Sequence, residues 1–268
     1  MITQVSKPGV EKAFGGGYAA DLLHELQRPL RGIYWHDHFW GQATEDPRLA
    51  TAKTNGTSAS VAADNAARGH LLLTTGTDND GYAGQGVGLN WQGNFCPSTS
   101  LYSQKVALRD ALITECRFKI DIITSVKFEF GWTDSVADAG AALVRATPTA
   151  TADNAAIFLW DTAENANLEL FTVNAAGTPV STALSTPAAV WAAATYLILR
   201  VALIYNGTDM DAFFWTGTDA SDMTFRGTKS GACLGSVGLT PWVFAQARVG
   251  SASKVASVDY MWAYGPTN

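Results

Sequence analysis

The sequence predicts an all-β chain: an antiparallel β-sandwich preceded by an N-terminal arm and one short helix. Three observations carry this. Glu115–Ile122 and Val126–Trp132 alternate apolar and charged side chains with period two, the period at which strand residues point to opposite faces. Apolar runs of strand length recur at short spacing, separated by Gly, Asn and Asp turns. Helical patterns do not alternate with strands, so a parallel α/β sheet is not expected, and no internal repeat is visible.

Residues 1–17 show no periodicity and end in Gly15-Gly16-Gly17, which reads as an extended arm. Tyr18–Arg28 then carries Ala19, Leu22, Leu23 and Leu26 at helical spacing, with Asp21 near the end where the helix dipole favours it and Pro29 as the stop. About three turns of helix are not stable alone. The stripe Leu22, Leu23 and Leu26 must therefore dock on the domain or on a partner, which makes it a candidate anchoring helix. Residues 1–32 form this arm and helix, and residues 33–268 form one sandwich domain.

Ile33–Gly41 is a dense aromatic run of strand length. Its alternation puts Ile33, Trp35, Asp37 and Phe39 on one face and Tyr34, His36, His38 and Trp40 on the other. Both faces carry aromatics, so both are expected to be covered, with the terminal strand Val258–Tyr264 as the pairing partner. A polar, irregular stretch follows to Ala67, with Ser58–Ala62 as a strand candidate. Gly69–Thr75 is a strand burying Leu71, Leu72 and Leu73 and ending at Gly76, before a turn at Asp78-Asn79-Asp80-Gly81. Gly84–Pro97, with its glycines and Trp91, reads as a long loop or a bulged strand pair.

The pair Glu115–Ile122 and Val126–Trp132 is expected to be a hairpin of half-buried strands linked through Ile123–Ser125. Ser135–Asn154 is Ala/Thr-rich and reads as an exposed excursion. Ala155–Asp161 and Asn167–Val173 form a further hairpin around Thr162–Ala166. Tyr196–Tyr205 and Met210–Trp215 form another through Asn206-Gly207-Thr208-Asp209, Asn-Gly being the strongest short hairpin signal. Trp242–Val249 and Val255–Tyr264 close the chain as strands.

Composition narrows the function classes. Of 268 residues, 47% are hydrophobic and 16% charged, so the chain has material for a sizeable core and a surface built largely from Thr, Ser, Asn, Gly and Ala. The net charge is -6 and no basic run occurs, which argues against a nucleic-acid partner. Cys96, Cys116 and Cys233 lack the spacing of a disulfide framework or a zinc site and read as buried thiols. No stretch approaches the roughly 20 apolar residues of a membrane span, and Met1–Val10 lacks the apolar core of a signal peptide. Synthesis in a cytoplasm, without a membrane partner, is the expectation.

Five pieces of the chain fall in a familiar order. They are Asp37-His38-Phe39-Trp40-Gly41, Gly69-His70-Leu71-Leu72-Leu73, Phe130-Gly131-Trp132-Thr133-Asp134, Ala156-Ile157-Phe158-Leu159-Trp160-Asp161 and Val258-Asp259-Tyr260-Met261-Trp262. Over roughly residues 37–264 the chain resembles the concanavalin A-like, or laminin G-like, jelly-roll sandwich, and more narrowly the versions in structural proteins of tailed bacteriophage particles. The resemblance implies two packed antiparallel sheets with the first and last strands as neighbours. That fold hosts lectins, glycosidases, adhesion modules and inert structural parts.

Candidate sites are therefore weighed residue by residue. A retaining glucanase of this superfamily carries a Glu-x-Asp-x-(x)-Glu run that sets acid and nucleophile about 5 Å apart. Here the richest carboxylate strand, Glu115–Asp121, is interrupted by Arg117 and Lys119, whose charges favour ionised carboxylates, so no catalytic residue is assigned. Asp78-Asn79-Asp80-Gly81, and Asp209 with Asp211, offer oxygen ligands but read better as turn chemistry. His36 and His38 share a strand face, yet a metal site needs a third ligand that neither His24 nor His70 is placed to supply. No nucleotide loop or nucleophile elbow occurs, and no cofactor or metal is assigned. Trp91, in the Gly-rich region, is a candidate glycan contact by stacking.

Two functions are expected from these residues and the resemblance. The first is a non-enzymatic virion component of a tailed phage, a capsid decoration or head-fibre-like protein. Its arm and helix would bind the major capsid protein, another virion protein or sister subunits, in a homo-oligomer that the resemblance suggests is a trimer. The second is a carbohydrate-binding module that adsorbs to host surface glycans.

Overall fold

The computed structural model describes residues 32–37, 49–53, 58–63, 69–77, 81–87, 91–92, 111–135, 142–144, 149–184, 192–248 and 252–266. The anchoring stripe Leu22, Leu23 and Leu26, together with His24, His38, Cys96 and the turn residues 78–80, lies outside them.

Strands in chain order are β1 (Gly32–Asp37), β2 (Leu49–Lys53), β3 (Ser58–Ala63), β4 (Gly69–Thr74), β5 (Tyr82–Val87), β6 (Trp91–Gln92) and β7 (Ala111–Ile120). Then come β8 (Val126–Thr133), β9 (Ala142–Val144), β10 (Thr149–Ala150), β11 (Ala155–Asp161), β12 (Glu169–Val173) and β13 (Val180–Ala183). The last are β14 (Leu197–Tyr205), β15 (Asp209–Gly217), β16 (Thr224–Leu234), β17 (Gly238–Ala247) and β18 (Val255–Pro266). Among the described residues there is no helix.

Two antiparallel sheets of eight strands each form a sandwich. The first runs β16-β15-β14-β7-β18-β4-β3, with β1 also on β18; the second runs β13-β12-β11-β8-β17-β5-β2, with β6 also on β17. The first and last strands pair, from Gly32 opposite Pro266 to Asp37 opposite Met261. The hairpins β11–β12 and β14–β15 form where the sequence places them. In the second, the Asn206 side-chain oxygen accepts from the backbone of Thr208 and Asp209, which closes the turn.

One hairpin expected from the alternation does not exist. β7 and β8 are consecutive but lie in different sheets, β7 between β14 and β18 and β8 between β11 and β17. The link 121–125, with Ser125 at φ 49°, carries the chain from one layer to the other. Their apolar faces meet across the core instead of lying side by side: the Phe118 and Phe128 rings stack with centroids 4.0 Å apart at 11°. The inner faces contribute Leu112, Cys116, Phe118 and Ile120 from β7, Val126, Phe128, Phe130 and Trp132 from β8, and Leu197, Leu199, Val201 and Leu203 from β14. Trp132 bridges the layers by donating its indole N–H to the Val201 carbonyl at 3.3 Å. Cys116 and Cys233 are buried free thiols with raised pKa, burial being the main cause.

The strands are also more covered than alternation predicts. Lys127 and Glu129, on the outer face of β8, are both buried and pair at 3.0 Å. Glu129 also accepts from the Trp242 indole at 3.2 Å, and the Lys127 ammonium lies 5.3 Å from the Phe244 ring centre. Period two locates a polar face but does not say whether that face meets water. Trp242 and Phe244 lie across Gly84, where an added Cβ would come within 2.6 Å of the indole. The excursion after Ser135 holds the short ladder β9–β10 and ends in buried Ala152 and Asn154. In β4, Leu71 and Leu73 face the core while Leu72 is half-buried on the other face.

Candidate functional site

The outer face of the first sheet carries the candidate site, and strand register builds it. Phe225 on β16 faces Trp215 on β15; Trp215 faces Arg200 on β14; Arg200 faces Glu115 on β7; Glu115 faces Trp262 on β18. These five side chains form a line across the sheet, which the backbone of β1 extends to His36 opposite Trp262.

The line changes character along its length. At the Trp262 end it is dry. Glu115, 2% exposed, accepts from Arg200 Nε at 2.6 Å, from the Tyr260 hydroxyl at 2.8 Å and from the Trp262 indole at 3.1 Å. Such a carboxylate has its acceptor capacity filled. The Tyr260 phenol is pushed well above its ordinary pKa, first by burial and then by the Glu115 charge. Ala111, Ile113, Ala202, Ile204 and Tyr264 surround this end with a second apolar cluster.

At the β16 edge the line opens. Phe225 is 51% exposed, and its ring centre lies 5.5 Å from that of Trp215. Phe213 stacks on Trp215 with centroids 6.3 Å apart at 24°. Among the described residues the exposed large hydrophobics are Ile122, Val180 and Phe225, so Phe225 is the sole ring. An aromatic corner of this kind presents flat apolar area to solvent on a rigid edge hairpin.

A second group lies on the same face. The Arg117 guanidinium stands 4.0 Å and the Lys119 ammonium 4.9 Å from the centre of the Tyr196 ring. Arg117 pairs with Asp259 at 2.5 Å, and the Tyr196 hydroxyl is 3.0 Å from His70 Nε2.

The other sequence candidates resolve as follows. Glu115 and Asp121 are committed to structure: Glu115 as above, and Asp121 by accepting from the backbone of Ile122 and Val255, each at 2.7 Å. The cation on Glu115 is Arg200, a residue far along the chain, whereas Arg117 turns to Asp259. Asp211 accepts from Asn206 at 3.0 Å and from the Gly231 backbone at 2.9 Å, which is turn chemistry. Among the described residues no cluster of three or more His, Cys, Asp or Glu is placed to hold a metal ion. Trp91 lies on β6 opposite Leu239, in the second sheet, and its side chain is outside the described residues.

Phe225 escaped the reading of the sequence because β16 has no clean alternation and two internal glycines, as an edge strand can. The available signal was on β15, where Asp211, Phe213 and Trp215 share one face and Met210, Ala212 and Phe214 the other. Aromatics on both faces of a hairpin strand mark a second, outer apolar surface.

No protein-family model matches the chain, and no curated protein matches it in sequence. Solved structures do. A protein of unknown function from Shewanella oneidensis MR-1 aligns over 100% of this chain and 97% of its own, with TM-score 0.54 and 11% identity. Basic winged bean lectin with Tn-antigen aligns over 88% and 100%, with TM-score 0.52 and 9% identity. The Emp47p carbohydrate recognition domain aligns over 86% and 94%, with TM-score 0.51 and 8% identity. A glycosyl hydrolase family protein from Mycobacterium fortuitum is also similar, with TM-score 0.50 and 11% identity over 85% and 98%. Identities this low establish the fold alone: the chain is an antiparallel sandwich of the lectin-like, concanavalin A-like kind.

Proposed function

We propose that this chain is a non-enzymatic carbohydrate-binding domain whose glycan stacks on the corner formed by Phe225, Trp215 and Phe213. The observation that carries the reading is the exposed Phe225 ring, held against Trp215 at the end of a rigid cross-strand line. The apolar face of a pyranose covers such a ring, and burying an aromatic of this size is worth roughly 2 kcal/mol. The lectin and carbohydrate-recognition neighbours support the reading at the level of fold. The neighbour named as a glycosyl hydrolase leaves hydrolysis as the rival, and the strand carboxylates that would serve it, Glu115 and Asp121, are bound into structure. Glycan-array binding by the wild type, lost in Phe225→Ala and kept in Trp91→Ala, is the expected result. Loss in Trp91→Ala alone moves the contact to β6, and a blank array with folded protein removes the reading.

We infer a second, narrower setting for the same domain: a structural component of a tailed-phage particle, displayed on the capsid as a decoration or head-fibre protein. The resemblance in the order of motifs suggests it. The pairing of β1 with β18 supports it, because both ends of the domain leave the sheet together, three strands from the aromatic corner's nearest strand β15. Residues 1–28 would then anchor a homo-oligomer, such as a trimer, to the major capsid protein while the corner faces outward to host glycans. Deleting residues 1–28 should abolish particle binding and leave the domain folded; full occupancy by the truncated chain removes the anchoring role.

A further inference from the structure

We propose that the glycan carries a carboxylate, read by Lys119 and Arg117 on the Tyr196 ring. The inference rests on the glycan reading above and narrows its ligand to acidic sugars of the uronic-acid type.

Arg117 and Lys119 are two residues apart on β7 and so share the outer face. Both cations lie over one ring, Tyr196. Their mutual repulsion calls for compensating negative charge, and among the described residues only Arg117 is ion-paired, to Asp259 at 2.5 Å. Lys119 is half-buried and makes no ion pair or hydrogen bond among the described residues, so a partly desolvated ammonium rests on a ring face alone. Arg117 is 31% exposed at its side chain and meets Asp259 through Nη1, which leaves further donors of its planar fork for a second carboxylate. A further carboxylate that feels the Arg117 charge is Asp219, in the loop between β15 and β16. Its carboxyl is held below the usual range by hydrogen bonds from Ser221 and, more weakly, by the Arg117 charge.

That loop joins the cation pair to the aromatic corner. Arg117 faces Ile198, Ile198 faces Gly217, and Trp215 is two residues from Gly217 on the same strand face. Two strand spacings and a two-residue step along the strand put Trp215 about 12 Å from Arg117, and Phe225 and Lys119, one strand and two residues further out, are about 20 Å apart, which is within the reach of a tetrasaccharide. One terminal ring then stacks on Phe225 and Trp215 while a carboxylate toward the other end of the oligosaccharide meets Lys119 and Arg117.

Calorimetric titration of the full chain with tetragalacturonate and with the neutral galactotetraose tests this. The expected result is binding roughly tenfold tighter for the acid, the scale of one charge-assisted hydrogen bond, and a preference that shrinks as salt is added. Lys119→Gln, which leaves Arg117 in place, should lose most of the preference, Lys119→Arg should keep it, and Phe225→Ala should weaken both sugars. Equal affinity for the two sugars, or a preference undiminished in Lys119→Gln, overturns the acidic-ligand inference and leaves the glycan reading standing. Failure of the folded wild type to bind either sugar on this face, with Phe225→Ala indistinguishable on a full glycan array, removes the glycan reading itself.

Discussion

Glu115 and Arg200 sit opposite each other on neighbouring strands, 85 residues apart in sequence, with Arg200 Nη2 2.5 Å from Glu115 Oε2. Both are buried, and the same carboxylate also serves Tyr260 and Trp262. Removing one partner of such a pair strands a charge away from water. Glu115→Ala should lower stability by about 3–5 kcal/mol, and Arg200→Met by a similar amount. The double variant should lose less than the sum, with a coupling of roughly 0.5–3 kcal/mol. Urea denaturation of the four chains checks this, and additive losses would show that the pair is not energetically coupled.

Phe118 and Phe128 give the matching test for the core. They stack across the two sheets, so Phe118→Ala should cost about 3–5 kcal/mol as a cavity opens between layers. Phe118→Leu should cost much less. A loss below 1 kcal/mol for the alanine variant, against that same scale, would mean that the two rings do not meet.

The same two residues show what was legible in the sequence. Alternation identifies β7 and β8 as strands and turns Cys116, Phe118, Ile120, Val126, Phe128, Phe130 and Trp132 inward correctly, but it counts Ile122 with them, and Ile122 lies past the end of β7 and is exposed. It could not say whether two adjacent strands pair edge to edge or pack face to face, because both arrangements bury the same alternate residues. The five-residue link 121–125 is compatible with either. The pairing of β1 with β18 is legible in the sequence, whereas β2, β13 and β16 are not, since Leu49–Lys53, Val180–Ala183 and Thr224–Leu234 carry short or glycine-broken patterns. The site suffered most from this. Lys119 and Arg117 were visible as cations on a strand, but Tyr196, which brings them together, arrives from the start of a different hairpin.

Asp161 gives a pH dependence of unusual sign. Burial raises its pKa above the ordinary carboxylate value, although Arg248, 3.1 Å away, and Lys127 oppose the shift. The folded chain thus holds this proton more tightly than the unfolded one. Its contribution to stability is fully present below the unfolded value of about 3.9 and fades as pH rises through the folded value. Asp161→Asn cannot titrate, so its stability relative to the wild type should improve from pH 4 toward pH 6. Denaturation midpoints across that range check the slope; a falling difference would contradict the shift.

Ala175 and Ala176 occupy left-handed backbone, at φ 53° and 55°, in the turn after β12. The Ala175 amide donates to the Asn154 side chain at 3.1 Å and the Ala176 amide to the Asp153 carbonyl at 2.8 Å, which holds the turn. A left-handed alanine costs roughly 1–2 kcal/mol, and glycine gives back about 0.5–1 kcal/mol in chain entropy. Ala175→Gly and Ala176→Gly should each stabilise by about 0.5–1 kcal/mol, read as a rise in melting temperature. A drop in both would mean that the amide bonds already relieve the strain.

The proposed glycan site depends on the ring at the sheet edge. Titrating one array-identified oligosaccharide into wild type and Phe225→Ala, with melting temperatures measured alongside, tests it most directly. The expected result is affinity at least about tenfold weaker in the variant with an unchanged melting temperature, as befits a side chain that is 51% exposed. Equal affinity in the two proteins would contradict a glycan site at Phe225 and Trp215.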